Sequence, residues 1–435
     1  MKHFKCMMLL FLFLGLSFAL LPIRAYAEGG SCGENAIWSF DKGCLTISGT
    51  GDMNITPPGH IAGAVSAPWY HLRERISNVI IEPGITSISE YAFWFCTQLT
   101  SISIPETVTK IGNNAFNECQ SLQMVKIPSG VTRIEDDTFA NCFQLTEAHI
   151  PEGVTFIGSK AFSGCGSLRS ISIPHGVTII EDSAFSGCRS LTEIVLHDGI
   201  TAIGWHAFQG CSALTSLTLP PNLQYVGDYA FAHCTSLVTL TIPNSLERIG
   251  WNAFTGCSSL EEVHISDLFD WCTMVYGDIQ SNPLRNGAAL ILNGEPVVDL
   301  VLPESLTHVP TSAFYGCESL ESVTIPEGYT SIGSRAFAEC KNLTDLQLPS
   351  TLTTIERDAF SGCAKLRSVG YGGTEKQLFH ITAYQGNEPL LSATWTLTDK
   401  SYLLRRYRIS RWGTLGGQLL LAGLCVLFTH KRRKN

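Results

Sequence analysis

Residues 150–172 read IPEGVTFIGSKAFSGCGSLRSIS, and close copies of this 23-residue stretch fill most of the 435-residue chain. One phenylalanine marks each of eleven copies: Phe93, Phe116, Phe139, Phe162, Phe185, Phe208, Phe231, Phe254, Phe314, Phe337 and Phe360. Self-similarity at a fixed period of this length is the sequence signature of a repeat architecture. The period therefore decides the fold.

Each copy follows the pattern L-x-x-I-x-I-P-x-x-V-T-x-I-G-x-x-A-F-x-x-C. Leu168, Ile171 and Ile173 present apolar side chains on one face, as a short strand requires. Pro174 ends that strand, because proline lacks the N–H that a sheet needs. One copy is too small to bury its apolar face alone, so neighbouring copies must stack. The predicted fold class is a repeat solenoid with a continuous core of Leu, Ile, Val and Phe.

The period is broken once, because Cys257 and Cys317 are separated by 60 residues rather than by a multiple of 23. The extra residues predict an irregular, loop-bearing insertion at 266–300. Loops on a rigid scaffold often carry function. Trp271 and Tyr276, within this insertion, are therefore candidate ligand contacts.

A cysteine closes each copy: Cys96, Cys119, Cys142, Cys165, Cys188, Cys211, Cys234, Cys257, Cys317, Cys340 and Cys363. Zinc ligands are usually paired with two to four residues between them, and this column has no such pair. Stacked equivalent residues keep their Cβ atoms about 4.8 Å apart, whereas a disulfide needs about 3.8 Å. A nucleophile would be one distinguished cysteine. The pattern favours a buried small hydrophobe.

Both ends of the chain have the composition of targeting segments. Residues 1–27 combine early lysines, an apolar run and the small residues Ala25 and Ala27, which is typical of a secretory signal peptide. Residues 405–435 contain an apolar stretch at about 413–430, followed by a basic tail. This length predicts a single transmembrane helix that anchors an exported protein in the membrane. A buried terminal helix and an interfacial helix are the alternatives.

The charge distribution argues against nucleic acid as a partner. The chain has 38 acidic and 29 basic residues. All the acidic residues lie within 28–404, whereas eleven basic residues lie outside that range. The exported part is therefore strongly acidic, and phosphate binding needs a basic surface.

The repeats resemble the 23-residue leucine-rich repeats of BspA-like bacterial surface proteins. The resemblance extends to residues 28–80, CGENAIWSFDKGCLTISGTGDM and APWY, which are similar to that family's N-terminal cap, a β-hairpin turning at Asp41, Lys42 and Gly43. It also extends to a closing segment, VGYGGTEKQLFHI, at 369–404. The resemblance implies a right-handed leucine-rich-repeat coil with short parallel β-strands, displayed on the cell surface. It further implies adhesion to matrix proteins or to other cells.

Cys32 and Cys44 flank the implied hairpin and are candidates for a disulfide. The full predicted organisation is a signal peptide at 1–27, a cap at 28–80, repeats at 81–265 and 301–368, an insertion at 266–300, a closing segment at 369–404 and an anchor at 405–435.

No catalytic motif accompanies the repeats. The sequence has no H-E-x-x-H, G-x-G-x-x-G or P-loop pattern. We therefore expect a non-catalytic protein without cofactor or metal, acting as an adhesin-like binder of an extracellular protein or glycan. A structural spacer of the cell envelope is the alternative.

Two surfaces are candidate binding sites. Outward strand positions are rich in Ser, Thr and carboxylates, with Glu147, Glu193 and Glu262 as the predicted contacts, although Ser and Thr also suit any exposed strand. The second surface collects aromatic residues near the repeat glycines, and their clustering is typical of interfaces. Shielding of the core edge is the alternative. The residues of this second surface are Trp205, Tyr225, Tyr229 and Trp251.

Overall fold

The structure is a computed structural model that describes residues 28–55 and 67–397 in full. Beyond residue 397 it describes only the backbone of four short strands: Arg406–Ile409, Gly413–Leu415, Gln418–Leu420 and Leu424–Val426. The predicted signal peptide lies outside the described residues. About half of the predicted transmembrane helix also lies outside them, and its described parts are strands rather than helix. No helix within the described part of the chain is both long and apolar enough to cross a membrane.

The chain winds into stacked coils whose strands form two parallel ladders. The first ladder contains Asn78–Ile81, Ser101–Ser103, Met124–Lys126, Glu147–His149, Ser216–Thr218, Thr239–Thr241, Glu262–Ile265, Ala289–Leu292, Asp299–Val301, Ser322–Thr324, Asp345–Leu348, Ser368–Tyr371 and Thr394–Leu397. The second contains Ile85–Ile88, Lys110–Ile111, Arg133–Ile134, Phe156–Ile157, Ile179–Ile180, Ala202–Ile203, Tyr225–Val226, Arg248–Ile249, Val275–Tyr276, His308–Val309, Ser331–Ile332, Thr354–Ile355 and Thr382–Tyr384. Partners such as Met124 and Glu147 are one sequence period apart. The predicted solenoid of stacked parallel strands is confirmed.

The first ladder is not continuous. Between Glu147–His149 and Ser216–Thr218, the strand pairing of this ladder is reduced to an isolated bridge from Ser172 to Val195. Glu193 lies in this interrupted part. The strand face therefore consists of separate segments.

The N-terminal cap is the predicted antiparallel hairpin. Strands Asn35–Asp41 and Cys44–Asp52 pair, and Glu28–Ser31 adds a third strand. The two turn residues have positive φ angles, 48° at Lys42 and 88° at Gly43. Such two-residue turns match the twist of antiparallel strands. Cys44–Asp52 also pairs in parallel with Asn78–Ile81, so the cap continues directly into the first repeat.

The predicted disulfide between Cys32 and Cys44 is wrong. Cys44 faces Asp41 beside the turn, whereas the Cys32 N–H donates to the Ala36 carbonyl at the far end of the same strand. Five residues of strand span about 17 Å. A disulfide requires Cα atoms within about 7 Å of each other. The two cysteines bracket one strand rather than facing each other across the hairpin, and both are free thiols.

The insertion is one lengthened coil followed by a hairpin. Glu262–Ile265 pairs in parallel with Ala289–Leu292, so this coil has 27 residues instead of 23. It contains the helix Leu268–Thr273, which the Asp267 carboxylate caps by accepting the Phe269 N–H at 2.6 Å. It also contains the 3₁₀ helix Pro283–Asn286.

After this coil, Ala289–Leu292 forms a short antiparallel hairpin with Glu295–Pro296, and Asp299–Val301 resumes the repeat. At the C-terminal end, Glu375–Leu378 and Glu388–Ser392 are short helices. Thr374 and Gln377 form a capping box at the first of them. The strands that follow each helix extend both ladders.

The phenylalanine column is the centre of the core. Neighbouring rings stack nearly parallel with centroids 5.3–5.7 Å apart, and every ring is buried. In every copy except the last of each run, the phenylalanine N–H donates to a carbonyl of the next coil at 2.8–2.9 Å. The N–H of Phe185, for example, donates to the Ala207 carbonyl. Stacking and backbone pairing therefore share one column.

The repeat cysteines are buried beside this column, as the pattern predicts. Sequence reasoning missed a contact: the Cys165 Sγ lies 3.2 Å from the Phe139 carbonyl oxygen of the preceding coil. The same contact recurs at 3.1–3.4 Å along each run of repeats. Burial raises the pKa of the Cys96, Cys257 and Cys363 thiols from 9.0 to about 12. These thiols are neutral core groups.

Removing one ring of the column should be costly because the rigid coils cannot close the cavity. We expect Phe185→Ala to lower the free energy of unfolding by about 3–5 kcal/mol, measured by urea denaturation. Phe143→Ala is the matched control, because Phe143 is 43% exposed, and it should change this free energy by less than about 1 kcal/mol. Equal effects of the two substitutions would contradict the assignment of the core.

The raised cysteine pKa values predict a loss of stability in alkali. Unfolded thiols ionise as the pH rises through 9.0, whereas Cys257 and Cys363 stay neutral in the folded chain up to about 12. Their contribution is therefore complete below pH 9 and is lost progressively above it. Thermal unfolding followed by circular dichroism should show this decline, and it should be shallower in the Cys257→Ala/Cys363→Ala variant. An identical decline in both proteins would contradict the prediction.

Candidate functional site

The three predicted strand-face carboxylates lie on one column but not in one cluster. Glu147 and Glu193 are two coils apart, and Glu193 and Glu262 are three coils apart. At the spacing of paired strands these separations are about 10 Å and about 14 Å. A ligand that contacts all three must therefore be extended along the solenoid.

Two of these carboxylates are paired with a histidine of the same strand. Glu147 accepts from His149 Nε2 at 3.0 Å, and Glu262 lies 2.8 Å from His264 Nε2. Residues two apart on a strand point to the same side. All four side chains are at least one third exposed, so these pairs are accessible surface features.

A shallow cleft of about 350 Å³ lies beside the first pair. Glu106 orders one wall, because its carboxylate accepts the Ser129 N–H at 2.9 Å and contacts Lys126 Nζ at 3.2 Å. The hydrogen bonds from Ser129 and Lys126 lower the pKa of Glu106. Periodicity alone did not indicate this cleft, since its residues come from three coils. Its lining residues are Glu106, Lys126, Ile127, Ser129, His149, Ile150 and Pro151.

The four aromatic residues Trp205, Tyr225, Tyr229 and Trp251, here called the aromatic cluster, come from three successive coils. Trp205 and Trp251 are 54% and 57% exposed. Trp205 Nε1 donates to the Tyr225 hydroxyl at 3.3 Å, and the Tyr229 N–H donates to the Trp251 carbonyl at 2.8 Å. Trp205 and Tyr225 are therefore joined through their side chains, whereas Tyr229 and Trp251 are joined through their backbones.

Neighbouring residues fix the orientation of the aromatic cluster. The Trp205 N–H donates to Asp182 Oδ1 at 2.7 Å, and the Trp251 N–H donates to Asp228 Oδ1 at 2.8 Å. The Tyr229 ring stacks on the His206 ring with centroids 5.0 Å apart. His206 was not a predicted member, although its position beside Trp205 could have suggested it.

Trp271 does not belong to a surface site and its prediction as a ligand contact is wrong, whereas Tyr276 is partly buried. Trp271 is 1% exposed, and its Nε1 donates to the Ala313 carbonyl at 3.1 Å. Tyr276 replaces the inward isoleucine of the second ladder, since it pairs in register with Ile249. Its ring meets Trp271 edge-on at 5.8 Å, and burial raises the pKa of its hydroxyl. The insertion contributes to the core at this point.

Within the described ranges 28–55 and 67–397, no group of three or more His, Cys, Asp or Glu side chains is arranged to hold a metal ion. The candidate sites consist of carboxylates, hydroxyls and aromatic rings on the surface. These groups can donate and accept hydrogen bonds, form ion pairs and stack against a partner.

Comparison with known proteins agrees with this architecture. A leucine-rich repeat protein from Bacteroides ovatus ATCC 8483 superposes with a TM-score of 0.55 at 26% identity, covering 84% of this chain and 99% of that one. A leucine rich cell surface protein from Faecalibacterium prausnitzii A2-165 has 29% identity and a TM-score of 0.39, covering 81% of this chain and 97% of that one. None of the curated proteins matches the chain. No enzyme family is indicated by these similarities.

The family described as BspA type leucine rich repeat region (6 copies) matches residues 69–192, 178–273 and 292–383. These ranges include the repeats on both sides of the insertion and cover more than half of the chain. The match agrees with the stacked parallel coils and with the resemblance seen in the sequence. The chain belongs to the BspA-type leucine-rich-repeat family.

Proposed function

We propose that this chain is an exported, non-catalytic binding protein of the cell surface, which recognises an extracellular protein or glycan over the outside of its solenoid. The observation that carries this proposal is the contrast between core and surface. The core repeats one set of residues in every coil, whereas the outward positions hold exposed carboxylates, imidazoles and indoles. Solenoids present extended surfaces that suit binding.

Adhesion is the form of binding that best fits the family and the predicted export. A binding face along the first ladder would engage an extended ligand through Glu147, Glu193 and Glu262. The two glutamate–histidine pairs offer both a hydrogen-bond acceptor and a donor at each point of contact. The aromatic cluster supplies a second surface, whose composition resembles that of interface centres.

A spacer role is the competing function. A spacer needs only the stacked core, and it gives no reason for indoles that are more than half exposed. Exposed aromatic side chains that cluster are a recognised mark of interaction sites. We therefore favour the binding function.

Binding should be tested with the purified chain on an immobilised panel of matrix proteins and glycans. The variant Glu147→Lys/Glu193→Lys/Glu262→Lys reverses the charge of the strand face. Because like charges placed against a partner cost several kcal/mol, we expect the affinity for a strand-face ligand to fall by about tenfold or more.

The control variant Glu74→Lys/Asp198→Lys/Glu304→Lys changes the net charge by the same amount at exposed positions outside the strand face. It should bind as the unmodified chain does. Equal losses in both variants would indicate a general charge effect, and a ligand insensitive to both would exclude the strand face. Absence of binding across the whole panel would favour the spacer.

We also propose that residues 405–435 anchor the protein in the membrane. The apolar stretch and its basic tail support this, although they lie largely outside the described residues. In cell fractionation, the full chain should remain with membranes after a high-salt wash, whereas a chain ending at Leu404 should be released. Retention of the shortened chain would argue against the anchor.

A further inference from the structure

The two exposed tryptophans occupy a slot that the fold fills elsewhere with polar residues. This slot lies two residues after the inward residue that ends each strand of the second ladder, and the residue between them is usually glycine or glutamate. Its other occupants are Glu90, Asn113, Asp136, Ser159, Asp182, Asp228, Asp278, Thr311, Ser334 and Arg357. Since Ser159 has the same backbone contact to the preceding coil as Trp205 has, an indole is not needed for folding at this slot.

The slot alternates between aspartate and tryptophan over five coils, from Asp182 through Trp205, Asp228 and Trp251 to Asp278. Each tryptophan forms the same unit with an aspartate of the preceding coil: the aspartate Oδ1 accepts the tryptophan backbone N–H. The two units are two coils apart, so their backbones are separated by about 10 Å.

Both indoles lie against a residue of the following coil. Trp205 is fixed by its hydrogen bond to Tyr225. Trp251 lies over Gly277, where a side chain would collide with the indole ring. More than half of each residue is nevertheless exposed. Ordered aromatic side chains lose little conformational freedom on binding, which favours affinity.

The charges around the alternating slots are mainly negative. Glu181 and Glu247 add to the three aspartates, whereas Arg248 lies in the same coils and Lys160 lies beside Asp182, to whose carbonyl its N–H donates. Burial is the main cause of the raised pKa of Glu181, and the neighbouring carboxylates of Asp182 and Asp136 raise it further. The surface therefore complements a positively charged partner.

We propose that the two aspartate–tryptophan units bind a pair of cationic side chains of a partner polypeptide, spaced about 10 Å apart. A lysine or arginine of the partner rests on the open face of each indole, where the ring quadrupole attracts it. The aspartate beside each indole supplies the balancing carboxylate. This inference rests on the proposed binding function and specifies the chemistry of the partner at the aromatic cluster.

A synthetic polypeptide of Arg-Pro-Pro repeats is a suitable probe. Its polyproline helix has three residues per turn and a rise of about 3.1 Å, which places successive arginines on one side about 9 Å apart. Matched polymers with Glu or Gln in place of Arg control for charge and backbone. Binding to the full chain should be measured by calorimetry at low and at high salt.

We expect the Arg polymer to bind, the Glu and Gln polymers not to bind, and the affinity to fall with salt. Trp205→Ser and Trp251→Ser introduce the residue found at Ser159, and each should weaken binding by about tenfold. Asp228→Asn keeps the oxygen that accepts the Trp251 N–H but removes the charge, so it should weaken binding and reduce its dependence on salt. Asp136→Asn is the matched control without an indole and should have no effect.

The proposal is overturned if both serine variants bind the Arg polymer normally, or if Asp136→Asn weakens binding as much as Asp228→Asn. It is also overturned if the Gln polymer or a neutral β-glucan binds through the same tryptophans without dependence on salt. A panel ligand that depends on the strand face but not on Trp205 and Trp251 would leave the proposed function standing while removing this inference.

Discussion

Each coil of this solenoid depends on the next one for hydrogen bonds that it cannot make alone. The phenylalanine N–H of one coil donates to a carbonyl of the following coil, and the rings stack in the same column. A coil of 23 residues cannot bury an aromatic ring by itself, and a buried peptide group without a partner costs about 1–3 kcal/mol. Each coil obtains the burial of its ring and the partner of its peptide N–H from its neighbours. Coils without such a neighbour lie where the phenylalanine column begins, is interrupted and ends.

Side chains with a polar tip occupy those three places. At the start, where no phenylalanine precedes the first copy, Trp69 Nε1 donates to the Ala92 carbonyl at 2.8 Å. At the interruption, Trp271 and Asn282 donate to the Ala313 carbonyl. At the end, the Asn387 side chain accepts the Phe360 N–H at 2.9 Å. The indole and the amide combine apolar bulk with a hydrogen-bonding group, and this combination is what a broken column requires.

The period of the sequence was sufficient to predict the solenoid, the buried cysteines and the outward position of Glu147, because each follows from alternation or repetition. Trp271 was misplaced because an indole has the same appearance in sequence whether it closes a hydrogen-bond ladder or meets a partner. The decisive signal was register: Val275 pairs with Arg248 after four extra residues, so the insertion still completes a coil. The distance between Cys32 and Cys44 could also be judged only from the strand register. The two cysteines flank the same strand in sequence, so they lie at its opposite ends in space.

The same architecture separates the residues that fold the chain from those that can recognise a partner. In the slot that holds Ser159, Trp205 and Asp228, the backbone carbonyl accepts an N–H of the preceding coil whichever side chain is present, so the side chain can vary without disturbing the core. Stacking also fixes the spacing of outward groups at multiples of about 4.8 Å. A side chain that recurs in alternate coils therefore meets a partner at a defined interval, and the distance between binding groups is set by the core.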